Sequence, residues 1–243
     1  MTRVLRSVDW GEPALSLLSH CGALEEGVPA VMHIRHTERP LIVGIGTGRS
    51  TLTTPTGKRA ARELGASLPA DRRYRFFHTH YERTRETALE IHEGVTDRGA
   101  ASVVVGDMRL STILDQEEYD SMLSGFSDTD AHAAGFFNRW TSGLFPPQVL
   151  KPSLEFARMG AEITMAGLRS AGADEFQIYV SHDTWVAAFM LHWFGLPPRT
   201  DWVKFLDGFI VQFGDDMMTV SFWDRRLEVD YPEWWGTTLS TQA

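Results

Sequence analysis

Short apolar runs alternate along this chain with longer segments that have helical periodicity. Each run is rich in β-prone residues and is bounded by polar residues, glycine or proline, which is typical of a buried strand. The predicted strands are 30–34, 75–77, 102–105 and 176–180, followed by a terminal β-hairpin of 209–213 and 218–223 around Gly214-Asp215.

Helices are predicted between these strands from the spacing of apolar residues and from signals at their ends. Thr54-Pro55 is typical of a helix start, and Gly65 of the end of the same helix. The other predicted helices are 82–94, a long helix opened by Pro152 and closed by Gly172, and 183–194, which is apolar nearly all round. The inward face expected for the long helix is Leu154, Ala157, Ala161, Met165 and Leu168.

Strands that alternate with helices predict an α/β fold with three layers (α/β/α) and a mostly parallel central sheet. The segment from about 107 to 150, here called the cap segment, breaks this alternation and is expected to be an irregular insertion. Its aromatic residues either stack on a ring of a ligand or pack a small subdomain, and they are Tyr119, Phe126, Phe136, Phe137, Trp140 and Phe145. With 243 residues, the chain is expected to form a single domain, 1–243, with an N-terminal extension, 1–29.

Composition and charge exclude several classes of function. The net charge of −9 argues against a general nucleic-acid surface, although clustered arginines can still bind a small anion. Cys21 is the only cysteine, so it has no partner for an internal disulfide or a CxxC site. The longest apolar run, 185–196, is too short for a membrane span of about 20 residues. We therefore expect a cytoplasmic protein with neither membrane nor nucleic-acid partners.

Three polar clusters each follow the carboxyl end of a predicted strand, and they are 35–39, 78–83 and 181–183. Because ligands bind outside the carboxyl ends of strands in open α/β sheets, these clusters are expected to converge there. Arginine supplies paired donors to phosphate oxygens, and neutral histidine can act as a nucleophile. His182 and Asp183 also adjoin a helix start, where backbone N–H groups favour an anion. The clusters therefore predict a phosphate site.

The same clusters resemble motifs of the histidine phosphatase superfamily, the phosphoglycerate-mutase-like and acid-phosphatase group. The segment 33–40, HIRHTERP, resembles its Arg-His-Gly signature, and 52–65 resembles the helix that follows. The segment 83–88, RTRETA, is similar to the one that brings a second arginine, and 181–184, SHDT, to the one that brings a second histidine. The resemblance covers roughly residues 30–195, with the motifs in the family's order.

The resemblance implies a role for each matching residue. His36 would be the nucleophile that takes the phosphoryl group, while Arg35, Arg83 and His182 would hold the phosphate oxygens. Arg39 matches a third phosphate-binding arginine of the acid-phosphatase branch, although proline follows it directly here. An ion pair of Arg39 with Glu38 or Glu82 is the alternative.

The proton donor implied by the resemblance is Asp183, which stands where the acid-phosphatase branch has its aspartate. The mutase-like branch uses a glutamate, and the matching position here is Thr112. Thr37 also replaces the glycine of the signature. The implied reaction is hydrolysis of a phosphomonoester through a phosphohistidine, without a metal or another cofactor. Alternatives are a phosphomutase that uses the same residues and, less favoured, a non-catalytic protein that binds a phosphorylated ligand.

Several other features have less specific interpretations. The substrate is expected to be a small-molecule phosphate ester rather than a phosphoprotein. A metal site built from His33, His78 and His80 with His36 is disfavoured against partly buried, hydrogen-bonded histidines, and His192 is expected to be a core residue. The Trp-rich tail, 231–235, is expected to serve packing or subunit contact, which leaves a homodimer as one expectation.

Overall fold

The computed structural model describes residues 3–42, 48–124, 128–198 and 200–239. Its strands are β1 (Ala30–Arg35), β2 (Arg73–His78), β3 (Ser102–Asp107), β4 (Glu175–Ser181), β5 (Gly208–Phe213), β6 (Met217–Phe222) and β7 (Arg225–Asp230). They form a seven-stranded sheet in the order β3-β2-β4-β1-β5-β6-β7. Each strand that the sequence predicts is therefore present.

The sheet is parallel in its centre and along one side. β1, β2, β3 and β4 pair in parallel, whereas β5 runs antiparallel to β1, and β6 and β7 continue as an antiparallel meander. The prediction of a mostly parallel core is thus confirmed. β7 was not predicted, although Leu227 and Val229 alternate with charged residues, a pattern typical of a half-buried edge strand.

Helices cover both faces of the sheet. They are α1 (Glu12–Cys21), α2 (Pro55–Ser67), α3 (Glu82–Thr96), α4 (Gln116–Met122), α5 (Asp130–Thr141), α6 (Ser153–Leu168), α7 (Asp183–Phe194) and α8 (Glu233–Leu239), with a short 3-10 helix at Leu5–Ser7. One face packs against α1, α2 and α3, and the other against α5, α6 and α7, which confirms the three layers. Within the described ranges, no helix has both the length and the hydrophobicity of a membrane span.

Glycines inside α2 and α3 allow the two helices to touch. The prediction that Gly65 ends α2 is wrong, since the helix continues to Ser67, and α3 likewise continues past Gly94. A Cβ atom on Gly65 would lie 2.0 Å from the carbonyl oxygen of Ile91, and one on Gly94 would lie 2.0 Å from that of Arg62. Close backbone approach, which only glycine permits, therefore explains both positions.

The predicted inward face of the long helix α6 is confirmed at Ala157 and Ala161, which are fully buried, and at Met165 and Leu168, which pack against the core, but it is wrong at Leu154. The helix ends at Leu168, well before Gly172, and Leu154 of the expected inward face is 37% exposed. Its buried positions are Ser153, Phe156, Ala157, Gly160, Ala161 and Thr164. A Cβ atom on Gly160 would lie 2.4 Å from the ring of Phe189 in α7. The close packing of α6 on α7 thus selects small residues, which a pattern of large apolar residues does not reveal.

The cap segment contains two helices, so the expectation that it is irregular is wrong. Asp115 and Thr129 cap α4 and α5, and the side chain of each accepts a hydrogen bond from a backbone N–H in the first turn of its helix. Phe137 and Trp140 are buried against the core, whereas Tyr119 and Phe136 are only partly buried. Phe126 lies outside the described residues.

The N-terminal extension, described from residue 3, packs on the α2 side of the sheet. Leu5, Ala14 and Leu17 are fully buried in that core. The Glu63 carboxylate accepts hydrogen bonds from the backbone N–H groups of Val4 and Leu5. The extension is therefore part of the folded core rather than a loose appendage.

Candidate active site

The two neighbouring strands β1 and β4 end at the same edge of the sheet, next to each other. Arg35, the last residue of β1, pairs with Ser181, the last residue of β4. After β1 the chain crosses to the α2 face, and after β4 it crosses to the α7 face, so this is a topological switch point. The residues that follow these strands, His36 and His182, lie with their ring centroids 5.8 Å apart.

The hydrogen bonds of His36 define which of its ring nitrogens carries the proton. Nδ1 lies 2.7 Å from the carbonyl oxygen of Thr37, which can only accept, so Nδ1 donates. Nε2 therefore keeps a lone pair, and the Nε–H of Arg83 donates to it at 2.9 Å. Burial, followed by the charges of Arg83 and Arg35, holds the pKa of His36 well below its ordinary value. The ring is thus neutral at physiological pH.

Arg83 connects the two histidines. Besides its bond to His36, its NH2 group donates to Nδ1 of His182 at 3.2 Å, and its NH1 group donates to the carbonyl oxygen of Gly48. The guanidinium carbon lies 4.5 Å from the ring centre of Tyr81. Burial lowers the pKa of Arg83 to about 10, so the side chain still carries its positive charge at neutral pH.

His182 has the opposite tautomer from His36. Because Nδ1 accepts from Arg83, the proton lies on Nε2, which donates to the Thr79 hydroxyl at 3.1 Å. Burial and the charge of Arg83 hold the pKa of His182 well below its ordinary value. Thr79 in turn contacts the Thr84 hydroxyl at 2.9 Å, so a chain of buried hydroxyls fixes the orientation of the imidazole.

Arg35 lies between Asp183 and the segment that precedes β5. Its NH1 group donates to the carbonyl oxygen of Val203 at 2.6 Å, and its NH2 group lies 3.4 Å from Oδ2 of Asp183. The guanidinium carbon is 4.4 Å from the ring centre of Phe205. Within the described residues, the buried Nε–H of Arg35 has no hydrogen-bond partner. Arg35 therefore retains a donor that is not committed to the fold.

Asp183 begins α7 and has hydrogen bonds on both carboxylate oxygens. Oδ1 accepts from the N–H of Thr184 at 2.8 Å, and Oδ2 accepts from the indole N–H of Trp202 at 3.0 Å. Trp202 has a positive φ of 61°, an unfavourable backbone conformation for a bulky residue. Such strain is typical of positions where the orientation of a side chain matters, here the indole that holds Asp183.

Arg39 pairs with the cap segment rather than with Glu38 or Glu82. Its NH1 and NH2 groups donate to the two carboxylate oxygens of Asp128 at 2.6 and 2.8 Å. Partial burial alone would raise the pKa of Asp128, but hydrogen bonds from Arg39 and from the N–H of Ile42 bring it below its ordinary value. Arg39 therefore does form an ion pair, as the alternative interpretation expects, but its partner is Asp128 and not Glu38 or Glu82.

A cavity of about 250 Å³ opens at this edge of the sheet, under the cap segment. It is lined by all six residues that the sequence marks as candidates, which are Arg35, His36, Arg39, Arg83, His182 and Asp183. The three arginines outweigh the two carboxylates that line it, Asp128 and Asp183. The cavity is therefore suited to an anion, and its wall includes the neutral imidazole of His36, whose Nε2 lone pair accepts a hydrogen bond from Arg83.

The fold of this chain is similar to that of several solved structures. No protein-family model and no curated protein sequence matches the chain. Bacillus stearothermophilus YhfR superposes with a TM-score of 0.58 at 16% identity, over 81% of this chain and 96% of that one. A phosphoglycerate mutase from Bacillus anthracis has a TM-score of 0.54 at 14% identity, over 81% and 93% of the two chains. The structure entitled Mycobacterial hydrolase 2 has a TM-score of 0.51 at 15% identity, over 88% and 97%.

These neighbours belong to one superfamily. The chain has the fold of the histidine phosphatases. Within this histidine phosphatase fold, Arg35 ends β1, Arg83 lies in the first turn of α3 and Asp183 begins α7. Arg83 joins the two histidines that follow β1 and β4.

Two other histidines that the sequence singles out, His33 and His192, have structural contacts away from the cavity. His33 stacks on Tyr179 with 4.6 Å between ring centroids, and its Nε2 lies 3.1 Å from the Thr164 hydroxyl. Burial lowers the pKa of His33 to about 3. His192 contacts the Ser153 hydroxyl at 3.0 Å. Over the described ranges, no group of three or more His, Cys, Asp or Glu side chains is arranged to hold a metal ion.

Sequence reasoning missed three side chains that shape the site, namely Asp128, Trp202 and Phe205. Trp202 and Phe205 lie in the irregular segment before β5, and Asp128 precedes α5. None of them belongs to a motif that the sequence analysis recognised, and none directly follows a predicted strand of the parallel sheet. The antiparallel pairing of β5 with β1 is what brings the segment before β5 to the carboxyl end of β1.

Proposed function

We propose that this protein hydrolyses phosphomonoesters without a metal, through a phosphohistidine on His36. The observation that carries the proposal is the lone pair on Nε2 of a buried, neutral His36, in a cavity lined by Arg35, Arg39 and Arg83. A neutral imidazole is a competent nucleophile, and guanidinium groups bind phosphate oxygens in pairs. The histidine phosphatase fold and the motifs of the sequence support the same reaction.

In the first step, the phosphate group displaces the hydrogen bond between Arg83 and His36, and Nε2 attacks phosphorus in line with the leaving oxygen. The N–P bond forms as the P–O bond to the alcohol breaks. Arg35 and Arg83 neutralise the charge on the equatorial oxygens, and the Nε2–H of His182 donates to one of them in exchange for its bond to the Thr79 hydroxyl. Arg39 contributes its charge, and its buried Nε–H, which has no partner among the described residues, can donate to phosphate while Asp128 holds the two terminal nitrogens.

Asp183 is the proton donor in this proposal, because the other carboxylate of the cavity is held on both oxygens by a guanidinium, whereas the hydrogen bonds that Asp183 accepts come from neutral N–H groups. Both oxygens of Asp128 are held by Arg39, and hydrogen bonding lowers its pKa, whereas the contact of Asp183 with Arg35 is longer, at 3.4 Å. A bound phosphate competes for Arg35, and in this proposal the reactive substrate complex carries a proton on Asp183. The protonated carboxyl then donates to the leaving alkoxide.

In the second step, water attacks the phosphohistidine. The carboxylate of Asp183 accepts a proton from the water as its oxygen bonds to phosphorus and the N–P bond breaks. Inorganic phosphate, neutral His36 and protonated Asp183 result, so protons and electron pairs balance over the cycle. The charge stabilisation that a metal provides in other phosphatases is supplied here by the guanidinium groups. Activity is therefore expected to survive treatment with a chelator.

The intermediate can be tested directly. The protein is mixed with excess p-nitrophenyl phosphate, quenched in alkaline denaturant, digested and analysed by mass spectrometry. We expect one added phosphoryl group on the peptide that contains His36, lost on brief exposure to acid, because phosphohistidine is acid-labile. Release of p-nitrophenol with no phosphorylated peptide, at any quench time, contradicts the proposal. Phosphopeptide without inorganic phosphate, but with transfer to an added alcohol or bisphosphate, indicates the phosphomutase alternative.

Replacement of Asp183 by asparagine is expected to harm poor leaving groups selectively. An alkyl phosphate needs a proton on its leaving oxygen, and a positioned general acid contributes about 10²–10⁴-fold. The nitrophenolate ion leaves without a proton, so kcat/KM for p-nitrophenyl phosphate, which reports the steps up to formation of the phosphohistidine, should fall by less than about tenfold in Asp183→Asn. The measurement is kcat/KM for a series of phosphate esters plotted against leaving-group pKa, because the later attack of water is common to all of them.

The matched control for this series is Asp130→Asn, a carboxylate at the start of α5 that pairs with Lys204 and does not line the cavity. It should leave the dependence on leaving group as in the parent protein. An equal loss for all esters in Asp183→Asn would assign Asp183 to phosphate binding or folding instead of proton donation.

A further inference from the structure

Two groups of residues line the cavity. The ends of β1, β2 and β4, with the residues that follow them, supply the cationic and imidazole groups described above. The cap segment supplies most of the apolar lining, here called the apolar wall, which is Ile113, Tyr119, Leu123, Phe136, Trp140 and Leu150, and it also contributes the polar side chains of Ser111, Thr112, Asp128, Thr129 and His132. A ligand that places its phosphate on the arginines can therefore place an apolar group against the rings of the cap segment.

Aromatic rings of the cap segment support one another in this wall. Phe136 lies 6.3 Å from Tyr119, 6.4 Å from Trp140 and 4.9 Å from Phe145, measured between ring centroids. Phe136 and Trp140 are four residues apart in α5, so they share one face of the helix. Trp140 is anchored further by its indole N–H, which donates to the carbonyl oxygen of Lys151 at 2.7 Å. The apolar wall is thus already formed without a ligand.

The polar groups of the cavity leave few partners for a polyol. Across the described part of the chain, no Asn, Gln, Glu or Lys side chain lines it, and both lining aspartates contact arginines. The cap segment adds Ser111, Thr112, Thr129 and His132, of which Ser111 and Thr129 already bond to backbone groups of the cap segment. A sugar hydroxyl that is buried without a partner is costly. The three lining arginines are assigned to the phosphate, so a second anionic group has no guanidinium of its own.

The cavity is small for a ligand site. At about 250 Å³ it is smaller than the roughly 300–1,000 Å³ that is usual for ligand pockets. A phosphate and one compact apolar group fill such a space. Burial also raises the pKa of Tyr119 above its ordinary value, so its phenol stays neutral and adds no charge to the wall.

We infer that the substrate is the phosphomonoester of a small, apolar alcohol, preferably one with an aromatic ring that stacks on Phe136. This inference rests on the proposed function and adds to it the class of the leaving alcohol. The arginines bind the phosphate, the cap segment excludes water from the apolar group, and Phe136 is the residue that sets the preference. Preference between esters then depends on the cap segment, and bond cleavage depends on the sheet edge.

The experiment compares three esters of primary alcohols, so that leaving-group chemistry is similar throughout. Benzyl phosphate has an aromatic ring, ethyl phosphate has only a two-carbon alkyl group, and glucose 6-phosphate has a polyol. Release of inorganic phosphate gives kcat/KM for each. Burial of an apolar group in a fitted pocket is worth about 10- to 200-fold in kcat/KM, so benzyl phosphate should exceed both other esters by about tenfold or more.

Variants of the cap segment test the residue assignment. Phe136→Ala should reduce the ratio of kcat/KM for benzyl phosphate to that for ethyl phosphate by about tenfold. Phe136→Leu keeps the apolar volume without the ring, and it should give an intermediate ratio, which also protects the test if the alanine variant unfolds. Leu144→Ala removes a 62% exposed residue of the cap segment that does not line the cavity, and its ratio should equal that of the parent protein.

The outcomes separate this inference from the proposed function. If none of the three esters and no aryl phosphate is hydrolysed, the proposed function fails. If phosphate is released but glucose 6-phosphate equals or exceeds benzyl phosphate, the hydrolase stands and the apolar substrate class is overturned. A parent-like ratio in both folded Phe136 variants likewise overturns the inference.

Discussion

Replacement of His36 by alanine is expected to lower kcat/KM for p-nitrophenyl phosphate by about 10⁴-fold or more, as loss of a covalent nucleophile does in other enzymes. Without Nε2 no phosphohistidine can form, and water would have to attack the ester directly. The arginines remain in place, so binding of inorganic phosphate should survive. Steady-state kinetics measures the first effect, and titration calorimetry with inorganic phosphate measures the second.

Two comparisons make the result specific. His192→Ala removes another half-buried imidazole, which contacts Ser153 and does not line the cavity, and it should retain the parent activity. A His36→Ala protein that still binds phosphate but hydrolyses the ester at a tenth of the parent rate would show that the phosphoryl group is not transferred to His36. A parent protein that binds phosphate yet releases none would instead support the non-catalytic alternative.

Acidification to pH 5.5 is expected to reduce the free energy of unfolding sharply, because three imidazoles are buried without charge. Burial lowers the pKa of His33 to about 3, and it holds the pKa of His36 and of His182 well below the ordinary value. The unfolded chain binds a proton at each near pH 6.5, so below that pH it binds more protons than the folded protein. Stability is therefore unaffected above about pH 7 and falls as the pH decreases further.

The expected size of this effect follows from proton linkage. Each such histidine removes about 1.4 kcal/mol per pH unit below 6.5, so three together remove about 4 kcal/mol between pH 8 and pH 5.5. Urea unfolding followed by tryptophan fluorescence at both pH values, in buffer without phosphate, measures the difference. His33→Phe should reduce it by about a third, since the Thr164 hydroxyl keeps its bond to the Gly160 carbonyl oxygen. An unchanged difference in that variant would mean that His33 is protonated in the folded state.

The fold could be predicted well where local chemistry and tertiary contacts agree. The boundaries of α7, Asp183–Phe194, match the prediction because an acidic residue begins the helix and Gly195, in the left-handed conformation with φ of 68°, ends it. Gly65 and Gly94 show the opposite case, since the same residue type that ends a helix also permits two helices to touch. Sequence alone does not distinguish these two uses of glycine.

The candidate site shows a similar division. Arg35, His36, Arg83, His182 and Asp183 could be marked in advance because each lies beside the carboxyl end of a strand. The partner of Arg39 could not, since Asp128 is separated from it by 89 positions and belongs to no motif. The sequence likewise could not show that Phe136 lines the cavity whereas its neighbour Phe137 is buried in the core, since this depends on the rotation of α5 about its axis.

What the sequence by itself determined is the set of local elements and the chemical types at the strand ends, because periodicity, capping residues and strand composition act over a few neighbouring positions. The tertiary structure alone decided which charges meet, which tautomer each imidazole adopts and which rings face the cavity. Those properties depend on distances of a few ångströms between side chains that are far apart in the chain, and burial then sets their ionisation.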